Sequence, residues 1–146
     1  MARDKIGICA DHGGKDLKRL VQDFLGLMEF EVVDYGVSDS TNSSVDYPDY
    51  GYKLAETIES GQAPFGIAIC GTGIGISIAI NRSKAVRAGL CVNTTMARLT
   101  RAHNDANVLA LGERIIGTET AFDIVEVFLN TEFEGGRHSR RIEKMS

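Results

Sequence analysis

The chain has 146 residues, which allows one domain and enough buried surface to fold without a disulfide or metal staple. Hydrophobic residues make up 43% and charged residues 25% of it, which excludes disordered and collagen-like chains. The 16 Lys and Arg stand against 20 Asp and Glu, and the net charge of -4 argues against a general nucleic-acid binder.

The first strand is predicted at residues 6–10, and it is too short and too soon ended by Asp11 to be a secretory signal. Leu17, Leu20, Val21, Phe24, Leu25 and Met28 then recur at helical spacing as one wide apolar stripe. A second strand at residues 31–35 leads into the polar, Ser-rich residues 36–46, which read as a lid or as plain surface. Asp46-Tyr47-Pro48-Asp49 opens the next helix, with Pro48 suited to its first turn, and Gly61 marks its end. Residues 60–81 carry no charge, and residues 63–80 are long enough to cross a bilayer. Pro64, Gly66, Gly71, Thr72, Gly73 and Gly75 divide that window instead into a buried strand at 66–70, a tight turn and a helix opening at 74–80. The membrane reading fails.

A fourth strand is predicted at residues 86–92, and a helix from Asn93-Thr94-Thr95 to about His103 follows it. The fifth strand falls at residues 108–111. The helix after Thr118 is apolar at Ala121, Phe122, Ile124, Val125, Val127, Phe128 and Leu129, on more than one face. Its second face is expected to be buried against another subunit. Largely apolar strands alternating with helices predict a single α/β domain over residues 1–146, a Rossmann-like parallel sheet covered on both faces. Right-handed crossovers put all strand carboxyl ends on one edge, where open α/β sheets bind ligands.

Charge is unevenly placed. Residues 1–59 hold 12 acids and 6 bases, residues 105–146 hold 8 acids and 5 bases, and residues 60–104 hold no acid and five bases. Those bases (Arg82, Lys84, Arg87, Arg98 and Arg101) suggest a local anion site, or simply a solvated face. Cys9, Cys70 and Cys91 are odd in number without paired spacing, which reads as reduced thiols in a reducing, cytoplasmic setting.

The strand-edge rule selects Asp11-His12-Gly13-Gly14, Cys70 with the glycine turn, His103-Asn104-Asp105 and Gly112-Glu113-Arg114. Gly71, Gly73 and Gly75 lack the Lys of a nucleotide-binding loop and the spacing of a dinucleotide fingerprint. Small-anion or oxyanion binding survives, beside the alternative that these glycines only permit close helix–strand packing. Cys70 precedes a helix start, where a thiolate is favoured and can act as nucleophile or base, whereas Cys9 and Cys91 read as core. His103 falls near a helix C-terminus, which suits a general acid, or a solvent-facing ring. Asp11 and His12 make a poor metal pair, because adjacent strand residues point to opposite faces. Arg137 and Arg141 share one face of a helical tail, either around a phosphate or in solvent.

Ala10-Asp-His-Gly-Gly14, Asp46-Tyr-Pro-Asp49, Ile69-Cys-Gly-Thr-Gly-Ile-Gly-Ile-Ser77, Arg101-Ala-His-Asn-Asp-Ala-Asn107 and Glu134-Gly-Gly-Arg-His-Ser-Arg-Arg141 resemble ribose-5-phosphate isomerase B over nearly the whole chain. Galactose-6-phosphate isomerase subunits share the fold and some of these motifs. The resemblance implies a five-stranded α/β/α sandwich, no cofactor, no metal, and a homodimer or homotetramer with active sites at a subunit interface. It implies that Cys70 removes the proton from sugar C2, with Thr72 assisting. Some members use a glutamate at the position matching Ile76, which this chain lacks. The amides of Gly71, Gly73, Ile74 and Gly75 would hold the enediolate oxygen. His103 would open the furanose ring, Asp11 and Asn104 would position the sugar, and His12, Arg114, Arg137 and Arg141 would bind phosphate. On this pattern residues 131–146 are a basic tail that completes the site.

The substrate is then a small phosphorylated sugar, with no nucleic-acid or membrane partner. Two other readings stay open: an isomerase for allose or galactose 6-phosphate, and a non-catalytic sensor of a phosphorylated ligand. A phosphoacceptor receiver is disfavoured, because the first strand ends in a single Asp11 and no lysine lies between Lys84 and Lys144.

Overall fold

The computed structural model describes residues 4–146. Strands β1 (Lys5–Ala10), β2 (Glu31–Asp34), β3 (Phe65–Cys70), β4 (Ala88–Leu90) and β5 (Val108–Gly112) form one sheet in the order β2-β1-β3-β5-β4. Every pairing is parallel. The helices are α1 (Lys15–Leu27), α2 (Tyr47–Glu59), α3 (Ile74–Ile80), α4 (Thr94–Ala102), α5 (Thr118–Asn130) and α6 (Arg137–Glu143).

Alternation along the strands builds two cores. Ile6, Ile8, Ile67, Ile69, Leu109 and Leu111 pack on one face against α1, α4 and α5, with Val21, Leu25, Ala97, Ile124 and Phe128. Cys9, Ala68 and Cys70 face the other way onto Leu54 of α2 and Ile76 and Ile80 of α3. This is the α/β/α sandwich that the sequence predicts, and period-two burial on a two-sided sheet is its cause. No helix among the described residues is long and apolar enough to cross a membrane.

Two expectations need correction. The fourth strand is shorter than residues 86–92, because the side chain of Asn107 takes over its beginning. Asn107 Oδ1 accepts the Arg87 N–H at 2.9 Å and Nδ2 donates to the Ala85 carbonyl at 2.9 Å, so these backbone groups are satisfied outside the ladder. The second apolar face of α5 is used within the chain. Phe122 stacks on Phe24 of α1 at 4.5 Å between centroids, and Val127 and Leu129 pack on the same core. The exposed apolar side chains lie elsewhere, and include Ile74 (52% exposed) and Ile78 (62% exposed) on α3, Leu27 at the end of α1, and Val92 and Met96 around the start of α4.

Residues 36–46 are tied down at their base. Ala10 N–H donates to Gly36 O and Val37 N–H to Ala10 O, each at 2.8 Å, and Lys15 Nζ donates to Thr41 O at 2.7 Å. Lys18, 1% exposed, donates to Asp34 Oδ2 at 2.7 Å, so its buried charge is paired, as burial demands.

Candidate active site

β3 delivers Cys70 to the carboxyl edge of the sheet, beside Gly112 of β5. The chain then turns through Gly71, Thr72 and Gly73 into α3. Gly73 has φ +78°, and a Cβ there would lie 2.6 Å from Leu90 and 2.9 Å from the Leu111 backbone, so only glycine fits. The tight turn aims the Gly73 N–H at Cys70 Sγ, 3.1 Å away. Thr72 is exposed beside it, its hydroxyl accepting from Ile74 N–H at 3.2 Å.

Around the thiol lies an open cleft of about 390 Å³ that also takes in Asp11, His12, Tyr47 and Arg114. Asp11 is buried, and one of its carboxylate oxygens accepts from Gly13 N–H at 2.8 Å, which leaves the other for a ligand hydroxyl. His12 Nδ1 lies 3.0 Å from the Val45 N–H and 3.2 Å from the Val45 carbonyl oxygen, which fixes the ring and leaves Nε2 free for a ligand. The Arg114 amide donates to Gly71 O at 2.9 Å, and a Cβ on Gly71 would sit 3.5 Å from its guanidinium Nε. Arg114 therefore shares the cleft with Cys70 of its own chain.

Sequence reading missed Tyr47 as a site residue. It used the aromatic only as part of a helix start, yet the ring covers Gly75, where a Cβ would lie 2.6 Å from it. Ile76 points into the core with no exposure and takes no part in the cleft. Glu113 has a structural task instead: its carboxylate accepts from Leu17 N–H at 2.6 Å and caps the first turn of α1.

His103 and Asn104 are elsewhere. α4 follows β4 and runs back across the sheet, so its C-terminal His103 lies at the amino edge, opposite Cys70. The six-residue β3 separates the two edges, roughly 20 Å at about 3.3 Å per residue. The rule that placed His103 at the carboxyl edge overlooked the direction of the helix. Arg137 and Arg141 are exposed on α6 and join His103. The His138 ring stacks on the His103 ring at 4.3 Å, and Glu134 N–H donates to Ala102 O at 3.0 Å. Burial pushes the His138 imidazole below its ordinary pKa, and Arg137, His103 and Arg141 add to this while Glu134 opposes it.

The basic middle of the chain is partly structural. Buried Arg101 donates to Ala106 O at 2.7 Å, Thr131 O at 3.1 Å and Asp105 at 3.0 Å, and lies over the Phe65 ring. Arg87 also pairs with Asp105. These two cations hold the β4–α4–β5 region together rather than an anion.

The thiols differ in their environment. Burial drives the Cys9 thiol far above its ordinary pKa, and burial raises that of Cys91 to about 12. Both therefore stay protonated through neutral and moderately alkaline pH. Iodoacetamide at pH 8 should label Cys70 alone, with one adduct per chain located by peptide mass spectrometry. Labelling of Cys9 or Cys91 in the folded protein would contradict this ranking.

Residues 6–145 match the ribose/galactose isomerase family. The chain is 42% identical to ribose-5-phosphate isomerase B of Escherichia coli, over 97% of this chain and 94% of that one. The structure of ribose-5-phosphate isomerase B from Clostridium thermocellum superimposes with a TM-score of 0.94 at 55% identity, covering 97% and 94% of the two chains. That of the Mycoplasma genitalium enzyme with bound ribulose-5-phosphate does so with a TM-score of 0.90 at 40% identity, covering 97% and 93%. The chain belongs to the ribose/galactose isomerase family.

Proposed function

We propose that the protein interconverts D-ribose 5-phosphate and D-ribulose 5-phosphate through a cis-enediol, as a cytoplasmic enzyme that needs no metal or cofactor. The observation that carries this is Cys70 at the cleft edge, its sulfur held by the Gly73 N–H, in a chain of this family. The C2 proton of an aldose becomes acidic as the C1 oxygen gains negative charge. The Gly73 N–H is held by the sulfur and the Ile74 N–H by the Thr72 hydroxyl, which leaves the backbone N–H groups of Gly71 and Gly75, beside the thiol, as donors for that oxygen. Cys70 takes the proton from C2 and returns it to C1, and the Thr72 hydroxyl assists the transfer between oxygens.

The phosphate supplies binding energy that orients the sugar. His12 and Arg114 offer donors from the same cleft, and the fork of an arginine suits a phosphate. Asp11 and Asn104 would hold sugar hydroxyls. His103 would open the furanose ring before isomerisation.

Since His103, Asn104, Arg137 and Arg141 lie at the opposite sheet edge from Cys70, a complete site requires a second copy. In this reading one protomer supplies Cys70, Thr72, Asp11, His12 and Arg114, and its partner supplies His103, Asn104, Arg137 and Arg141. The exposed Ile74 and Ile78 on α3 give such a homodimer an apolar surface near the cleft. This differs from the sequence expectation, which drew that surface from α5.

Specificity is tested by comparing kcat/KM for ribose, allose and galactose phosphates side by side. Ribose 5-phosphate is expected to lead. Preference for a six-carbon phosphate would replace the substrate and keep the chemistry.

A further inference from the structure

We infer that Asp105 is a positioning residue for ring opening: by bridging Arg87 and Arg101, its carboxylate fixes the end of α4 and with it the place of His103. His103 carries that step under the proposed function, on which the assignment rests. Asp105 Oδ1 lies 3.0 Å from Arg101 Nη1, and Oδ2 lies 3.4 Å from Arg87 Nη2. Arg101 is buried, so its charge needs this partner.

Two features make an aspartate unexpected here. Its φ is +46°, and the left-handed residue just past a helix is usually glycine or asparagine. A negative charge is also disfavoured beside a helix C-terminus, where the dipole favours cations. Glycine or asparagine would end the helix without either cost, which points to a task for the carboxylate.

That task is visible in what the two arginines hold. Arg101 Nη1 also donates to Ala106 O at 2.7 Å, and its Nε donates to Thr131 O at 3.1 Å. Arg87 Nε donates to Asn104 O at 3.0 Å and to Asp105 O at 3.2 Å. Residues 104–106 are therefore gripped from two sides, and the stretch leading to α6 is tied to the same hub. His103 depends on this frame. No hydrogen bond to its ring occurs among the described residues, and the stacked His138 ring of α6, 4.3 Å away, is what orients it. Arg101 links the two segments that bring these rings together, and Asp105 holds Arg101.

Ring opening can be separated from proton transfer by the choice of substrate. Ribose 5-phosphate is a furanose that must open. Ribulose 5-phosphate has its C5 oxygen esterified, so it cannot close a five-membered ring on its C2 ketone. Exchange of a C1 proton of ribulose 5-phosphate with D₂O therefore needs Cys70 but not ring opening. Asp105→Asn and Asp105→Gly both suit a positive φ, so both keep the turn and lose the charge, and circular dichroism with thermal melting confirms that they are folded. Each should lower kcat/KM for ribose 5-phosphate by about tenfold to a hundredfold, the scale of an ångström-sized misplacement, while exchange on ribulose 5-phosphate stays within about threefold of the wild type. The wild type is measured first in both assays. If it shows neither activity, the proposed function fails and the role of Asp105 falls with it. With an active wild type, an equal fall in both assays would make Asp105 structural only, and unchanged conversion of ribose 5-phosphate would show that His103 does not depend on it. Either result overturns the inference and leaves the isomerase reading in place.

Discussion

Cys70→Ala should lower kcat for ribose 5-phosphate by roughly 10²–10⁴, the usual contribution of a positioned base, while ribose 5-phosphate still binds. Other groups nearby cannot replace the sulfur. Ile76 is apolar and fully buried, and Asp11 already accepts from Gly13 N–H at 2.8 Å. Thr72 is a hydroxyl, far too weak a base at neutral pH. Binding survives because His12 and Arg114 do not depend on the thiol for their positions: His12 is fixed by Val45 and Arg114 by the Gly71 carbonyl. Turnover and calorimetric binding, measured on the same preparation, separate the two effects. A kcat near the wild-type value would remove Cys70 from the chemistry.

Mixing two dead variants should restore activity. Cys70→Ala and His103→Ala are each expected to be inactive as pure dimers, because every site in them carries one lesion. If each site takes Cys70 from one protomer and His103 from the other, a mixed dimer concentrates both lesions in one site and leaves its other site intact. Random mixing makes about half the dimers mixed, so about a quarter of the sites recover, as two-fold symmetry requires. The reason to expect this is topological. α4 runs antiparallel to the strands and carries His103 to the amino edge, while β3 ends with Cys70 at the carboxyl edge. No change of side-chain rotamer spans that distance. Mixed dimers confirmed by mass but without recovery would show that a single chain completes the site.

Much of this organisation was legible in the sequence, and the exceptions have physical causes. Alternation of apolar strands with helices gave the sheet and its two layers, since burial on both faces leaves a strong signal in composition. The glycine turn after β3 was readable because Gly73 needs a positive φ beside a packed strand. Strand β4 was overextended, since a side-chain amide such as that of Asn107 can imitate a strand partner without altering hydropathy. The apolar breadth of α5 was real but its partner was misassigned: Phe24 comes from a helix nearly a hundred residues earlier. Arg101 read as a possible anion ligand, but it is consumed by carbonyls and aromatic rings. Charge alone does not reveal which cations are already engaged.

The site was legible in halves. Residues just after β1, β3 and β5 converge by the strand-edge rule, and Asp11, His12, Cys70 and Arg114 do line one cleft. His103 and the tail arginines converge on each other through α4 and α6, at the far edge. Under the proposed function their union with the cleft depends on a second copy, which no periodicity within one chain encodes.

The central claim is that this cleft performs aldose–ketose isomerisation, and proton NMR of ribose 5-phosphate in D₂O with the wild-type protein tests it most directly. The proposed thiolate removes the C2 proton and lets solvent deuterium enter as the enediol collapses. Ribulose 5-phosphate should therefore appear, carrying deuterium at C1, at a rate that Cys70→Ala abolishes. Ribose 5-phosphate that saturates the protein but keeps its C2 proton, with no ketose formed, would contradict the account and leave a phospho-ligand sensor in its place.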